Sequence, residues 1–383
     1  MNLPPEVQSM IAQLRSQHSE LAGASDEQIL KLLQQAQSQA ADGGSIEDLD
    51  RMSSDDCIGL GEQLLPAGRW DEAECCFFAA LEKSEQAGDL DGQCKAALTL
   101  GRLCGQRGDF AQAMRLLQQS LGQAERLGDR RLQSFNYDEM GDVYQMQGQY
   151  PQAAEHYRKA IQIKDETGDE RGLAVSYGNL GSVYAQQGEL ERAIEAFEKS
   201  LAILVRLGDE RGCAYDYGNL GNVYIEQGRY DRAIEMLLKT LEISERLGDE
   251  PASANSYGNL GSVYLATGQF DEAIRMYEKA LEMGQRIGDE PGMAKDYGNL
   301  ASVYQQKGDT AAALDYHDRS LQIEERIGNQ HGAAISYFNL GNLYHETGER
   351  EQARQHYEKA RALFEMLGLS HDAQDAARAL QQL

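Results

Sequence analysis

The stretch that decides the fold is YGNLGSVY at residues 177–184. It returns as YGNLGNVY at 217–224, YGNLGSVY at 257–264, YGNLASVY at 297–304 and YFNLGNLY at 337–344, each step being 40 residues. The same register read backwards meets YDEMGDVY at 137–144 and weaker forms around Gly101 and Gly61. A fixed period of this length is the signature of a repeat architecture, in which one supersecondary unit is stacked many times. Eight units fit between about residue 46 and residue 368.

The units share one physical grammar. A small residue falls at Gly61, Gly101, Gly141, Gly181, Gly221, Gly261, Ala301 and Gly341, where a second helix is expected to come close. A glycine follows seven residues later, as at Gly188 or Gly228, and suits the left-handed turn at a helix end. Five residues beyond it stands an alanine, such as Ala193, and four further a large residue: Phe77, Tyr157, Phe197, Tyr277 or Tyr357. Alanine and large residue share one face of a second helix. Most units close on Gly-Asp, as at Gly208–Asp209, where glycine stops one helix and aspartate caps the next. Each unit therefore reads as a helical hairpin, and the fold class as all-α.

The ends depart from this register. Residues 5–22 and 25–41 read as two amphipathic helices, the second opened by Ser25 and Gln28 as a capping box. Residues 371–383 place Ala373, Ala376, Ala377 and Leu380 at helical spacing. The expected organisation is an N-terminal helical hairpin over 1–44, repeats over 45–368 and a capping helix over 369–383.

Composition narrows the function. The 383 residues carry 36 Lys+Arg against 62 Asp+Glu, a net charge of −26. Phosphate backbones and anionic membrane surfaces demand clustered cations, so neither nucleic acid nor a membrane is an expected partner. No apolar run reaches the roughly 18–20 residues that cross a bilayer. The six cysteines form no CxxC pair and read as small apolar fillers of a cytoplasmic protein rather than zinc ligands. No phosphate-binding loop, HExxH pair or nucleophile elbow occurs, so neither an enzyme nor a cofactor is expected.

The order Tyr177, Leu180, Gly181, Tyr184, Gly188, Ala193, Phe197 resembles the tetratricopeptide repeat, with Tyr at the position usually held by Trp. The unit is longer than the standard 34 residues. In that length it is similar to adaptors of the Pins/LGN type and, more loosely, to kinesin light chains. Repeats 1 and 2 depart with Cys57 and Ala97 at the first tyrosine, and repeat 7 with His317 at the large position. The resemblance implies a right-handed α-solenoid whose first helices line a concave groove for a ligand. It places the sixth position of each first helix there: Asn179, Asn219, Asn259, Asn299 and Asn339. The ninth adds Asn222 and Asn342, and the second Tyr215, Asn255 and Lys295. A carboxamide both donates and accepts, so such a ladder suits the backbone of an extended peptide whatever its side chains. The alternative is that these asparagines bridge neighbouring helices.

Glycines 178, 218, 258 and 298, at the fifth position, serve either close helix packing or ligand clearance. The four groove segments carry Asp216, Glu226 and Asp296 against Lys295 and Lys307, so a groove charge of −1 is expected. The resulting expectation is a non-enzymatic scaffold that holds an extended segment of a partner protein. Two rivals are a regulatory module whose groove is covered by residues 1–44, and a solenoid that self-associates end to end. Since each unit of a solenoid contacts only its neighbours, the divergent first two repeats should be the least protected. Hydrogen exchange should show amides of the first two repeats exchanging faster than those of repeats 4 to 7; equal protection would contradict this.

Overall fold

The computed structural model describes residues 46–383, so the hairpin expected over 1–44 lies outside the described residues. A 3₁₀ turn, Ile46–Arg51, precedes α1 (Ser54–Leu64), α2 (Trp70–Ala87), α3 (Leu90–Gln106), α4 (Phe110–Leu127), α5 (Arg130–Met146) and α6 (Tyr150–Thr167). There follow α7 (Glu170–Gln186), α8 (Leu190–Leu207), α9 (Glu210–Glu226), α10 (Tyr230–Leu247), α11 (Glu250–Ala266) and α12 (Phe270–Ile287). The chain ends with α13 (Glu290–Gln306), α14 (Thr310–Arg326), α15 (Gln330–Glu346), α16 (Arg350–Met366) and α17 (Ser370–Gln381). No strand occurs among the described residues, and the fold is an all-α solenoid of helical hairpins. The chain divides into two compact units, one ending at Ile163 and one spanning Lys164–Leu383.

The helix boundaries follow from local chemistry. From Gly68 to Gly368 a glycine with positive φ recurs every 20 residues, alternately inside a hairpin and between hairpins. Gly208 (φ 68°) shows the reason: a left-handed residue ends α8, and only glycine adopts that geometry without a steric cost. Asp209 follows at once, and its carboxylate accepts a hydrogen bond from the Gly212 N–H to cap α9. Asp89, Asp129, Asp169, Asp249, Asp289 and Asn329 cap α3, α5, α7, α11, α13 and α15 with their side chains, and Ser53 caps α1.

Hairpins close around the small position. A Cβ added at Gly261 would stand 2.7 Å from a Tyr277 ring carbon, and one at Gly181 2.9 Å from the Phe197 ring. Ala301, the one alanine of the series, lies in the repeat that carries the smaller ring of His317. The large rings are sealed, with Phe197, Tyr277 and Tyr357 at 0 to 1 % exposure. Four of the five hairpins of the second unit are also tied at their open ends, Arg206 to Glu170, Arg246 to Glu210, Arg286 to Glu250 and Arg326 to Glu290. A cation from the second helix stacks on the first tyrosine: Lys199 on Tyr177, Lys239 on Tyr217, Lys279 on Tyr257, Lys359 on Tyr337.

Five cysteines are buried and unpaired, only Cys75 being exposed. Among the described residues no helix is long and apolar enough to cross a membrane.

Gly261 and Gly298 are both mid-helix glycines, yet their surroundings differ. Gly261→Ala should cost about 1–3 kcal/mol through overpacking. Gly298→Ala, whose Cβ would meet only Ser320 Oγ at 3.6 Å, should gain up to about 1 kcal/mol of helix propensity. Urea unfolding measures both, and equal losses would contradict the packing account.

Candidate functional site

The first helices of the second unit carry the asparagine row. Residues 179, 219, 259, 299 and 339 recur at one phase of α7, α9, α11, α13 and α15, and all five are partly exposed. Three of these helices, α9, α11 and α13, contribute to a cavity of about 740 Å³. Tyr215, Asn219 and Asn222 from α9, Asn255 and Asn259 from α11, and Lys295 from α13 all line it. Gly218 and Thr240 lie behind them in the lining. Asn179, Asn299, Asn339 and Asn342 lie outside this cavity.

The asparagines are not equivalent. Asn259 Nδ2 donates to Asn222 Oδ1 at 2.9 Å across two repeats. Asn342 instead accepts from the Tyr357 hydroxyl of its own hairpin at 2.8 Å. The residue at the large position decides between these fates. Where it is tyrosine, its hydroxyl engages the ninth position, as Tyr277 does with Ser262 and Tyr157 with Asp142. Where it is Leu237, no hydroxyl is present, and Asn222 is left to face the cavity. Asn219 Nδ2 is buried without a hydrogen-bond partner, a deficit worth about 1–3 kcal/mol.

The groove charge expected from the sequence needs correction. Asp216 and Asp296 are 2 % and 8 % exposed and pack against the preceding repeat, where Asp296 lines a second, small pocket with Asn259 and Lys295. Their carboxylates sit where Gly178 and Gly258 leave room: a Cβ there would lie 3.1 Å from Asp216 Oδ1 and 3.0 Å from Asp296 Oδ1. These two glycines therefore serve close packing. Gly218 has free space instead, since its Cβ would meet only Thr240 at 3.7 Å. Lys307 is bound to Asp271 at 2.6 Å. Of the five charges counted, Lys295 alone lines the larger cavity, and Arg211 and Asp249 join it there.

Burial pushes the Asp216 carboxyl up to about 6, against a smaller opposing hydrogen bond from Ser200. Burial also drives Asp296 up to about 7, with Lys295 opposing and Asp289 adding to the rise. His317 is held down to about 4 by burial, so it stays neutral with its Nδ1 unpartnered.

Sequence reasoning missed Arg211, Thr240, Asp249 and the burial of the two aspartates. Thr240 carries a legible signal. Ser200, Thr240 and Ser320 recur in register, and each hydroxyl donates to a carbonyl 26 residues earlier. Among the described residues no cluster of three or more His, Cys, Asp or Glu is placed to hold a metal.

The sequence profile described as tetratricopeptide repeat matches residues 57–126, 131–204, 211–286 and 293–366. No curated protein sequence matches the chain. Among solved structures, the apo form of the quorum sensor NprR from B. thuringiensis aligns at a TM-score of 0.62 and 14 % identity, over 94 % of this chain and 97 % of that one. The STAND protein with a tetratricopeptide repeat sensor, PH0952 from Pyrococcus horikoshii, gives 0.61 and 18 %, over 86 % of this chain and 52 % of that one. BtubC from P. vanneervenii gives 0.50 and 22 %, over 58 % of this chain and 90 % of its own. At these identities the likeness is one of fold.

The buried aspartates give a pH signature. Both carboxyls titrate above their ordinary 3.8 in the folded chain, so between about pH 4 and 7 the native state binds more protons than the unfolded one. Their contribution is complete below pH 4 and is lost as pH rises through their folded values. Each loses about 1.4 kcal/mol per pH unit within its window. His317 acts in the opposite sense over 4 to 6.5, so the difference between variants is the useful quantity. The double variant Asp216→Asn, Asp296→Asn should match the wild type in melting near pH 4 and exceed it above pH 7. A difference that does not change with pH would contradict this.

Proposed function

The chain belongs to the tetratricopeptide repeat family, and on that footing we propose that its second unit holds an extended segment of a partner protein along α9, α11 and α13. Members of this family are protein-interaction or regulatory modules and generally non-enzymatic scaffolds. The single observation that carries the proposal is the 740 Å³ cavity walled by the carboxamide side chains of Asn219, Asn222, Asn255 and Asn259. The Asn222–Asn259 pair fixes its two carboxamides in place and leaves further donor and acceptor sites on each for a backbone. Gly218 keeps the wall clear where a side chain would intrude. Asn179, Asn299 and Asn339 extend the same row beyond the cavity.

A regulatory use of the same groove is the second reading. Two of the proteins that share the fold are described as sensors. Removing residues 1–44 and measuring partner affinity separates the two: a regulated groove gains affinity, and a constitutive scaffold does not.

The triple variant Asn219→Ala, Asn259→Ala, Asn299→Ala tests the groove directly. Loss of three ligand hydrogen bonds, at about 0.5–1.5 kcal/mol each, should weaken partner binding by one to three orders of magnitude. Melting should hold, because alanine has the higher helix propensity and Asn219 already lacks a partner. Affinity capture with quantitative mass spectrometry, followed by titration of the recovered partner, reads the outcome. A variant that melts early, or that retains its partners, defeats the proposal.

A further inference from the structure

The junction between α6 and α7 buries a cation. Lys164 is 2 % exposed, and its ammonium donates to Ser176 Oγ at 2.9 Å and to the Gly172 carbonyl at 3.3 Å. Three repeats on, at the junction of α12 and α13, the same three places hold Gly284, Asp296 and Gly292. The chain supplies no cation there, and the polar neighbour has become an acid. We propose that the hollow between α12 and α13 binds a primary ammonium group brought by a ligand, with Asp296 as its counter-ion.

The hollow is a cavity of about 30 Å³, lined by Gly258, Ala280, Gly284, Gly292, Met293 and Asp296. A water-sized group needs about 10–15 Å³, so an ammonium fits and a planar guanidinium does not. Met293 fills part of the space, with Cγ 2.8 Å from where a Cβ on Gly284 would stand. The corresponding places at the other junctions of the second unit are occupied by Lys164, Leu204, Ser244, Glu324 and Phe364. The cavity shares Asn255, Asn259 and Lys295 with the larger one, so the two adjoin.

Asp296 is 8 % exposed and, among the described residues, accepts no hydrogen bond. Asp216, its counterpart two repeats earlier, has Ser200 as a donor and Leu204 beside it. At Asp296 those neighbours are Ala280 and Gly284, so both the donor and the filling side chain are missing. A buried carboxyl without a donor resists ionisation, and this one is held up to about 7. An ammonium in contact reverses that cost.

The titratable groups around the carboxyl are Lys295 and Asp289. Lys295 lines the cavity but, among the described residues, makes no ion pair with Asp296. Asp289 accepts from the Gly292 N–H as the cap of α13. The facing helices α11 and α12 line the cavity with Ala254, Asn255, Gly258, Asn259, Ala280 and Gly284, none of which titrates. Two sources carry the ammonium: a lysine side chain on a segment lying in the groove, or a small free amine. The site rests on Asp296 and the hollow, and stands whether or not the asparagine row grips a backbone.

Titration of the full chain with n-butylammonium, followed by NMR of its methionine methyls, tests this, because Met293 lines the cavity. The Met293 methyl should shift to saturation in the wild type and stay still in Asp296→Asn. n-Butylguanidinium should bind at least about tenfold more weakly. Since Asp296 must ionise to pair, affinity should rise about tenfold per pH unit up to about pH 7 and level off above it. Lys295→Met should bind the amine at least as tightly as the wild type. A capped Gly-Gly-Lys-Gly-Gly peptide that binds more tightly than butylammonium, while capped pentaglycine does not bind, assigns the site to a lysine side chain. Binding of butylammonium without the peptide assigns it to a free amine. No saturable shift, a shift that Asp296→Asn retains, or an equal response to the guanidinium overturns the proposal. So does amine binding that appears only in Lys295→Met, since Lys295 would then be the counter-ion itself.

Discussion

Where Gly261 faces Tyr277, the backbone of one helix lies against the face of an aromatic ring with no side chain between them. That approach sets how far apart the two helices of a hairpin stand. Repeated at Gly61, Gly141, Gly181 and Gly341, and against Leu237 in place of a ring at Gly221, it keeps the two helices of each hairpin close. The polar rows depend on it. Asparagines 40 residues apart form a row only while each first helix keeps the same rotation and depth, and a slip at one hairpin turns its asparagine off the line.

The large residue also governs polar chemistry. Tyr157, Tyr277 and Tyr357 extend a hydroxyl to the ninth position of the facing helix and engage its side chain. Leu237 has none, and there the released Asn222 joins Asn259. Leu237 itself lines the cavity beside Asn222, so the core residue of this hairpin also borders the polar wall.

Most of the fold was legible because its signals are local. The 40-residue step, the glycines that turn the chain and the aspartates that cap helices each act within a few residues, and all fall where they were expected. Seven of the ten residues assigned to the groove read as one ladder, yet the structure separates them. Asn342 is tied to Tyr357, and that tie depends on which residue fills a core position 15 further along. Asp216 and Asp296 misled for a related reason. They lie on the helix that carries the groove residues, and only the hollow left by a glycine in the preceding repeat shows which way they turn. Their alternation with Ser256 and Ser336 stands in the sequence, but its meaning is a contact between repeats.

The Arg–Glu pairs at the open ends of the hairpins have a consequence for the history of such a chain. Arg206 reaches Glu170, and Arg246 reaches Glu210, so each tie begins and ends inside one repeat. A stretch of gene encoding one repeat brings both partners with it. Duplication or loss of that stretch leaves every surviving pair whole, and the array can lengthen or shorten without stranding a charge.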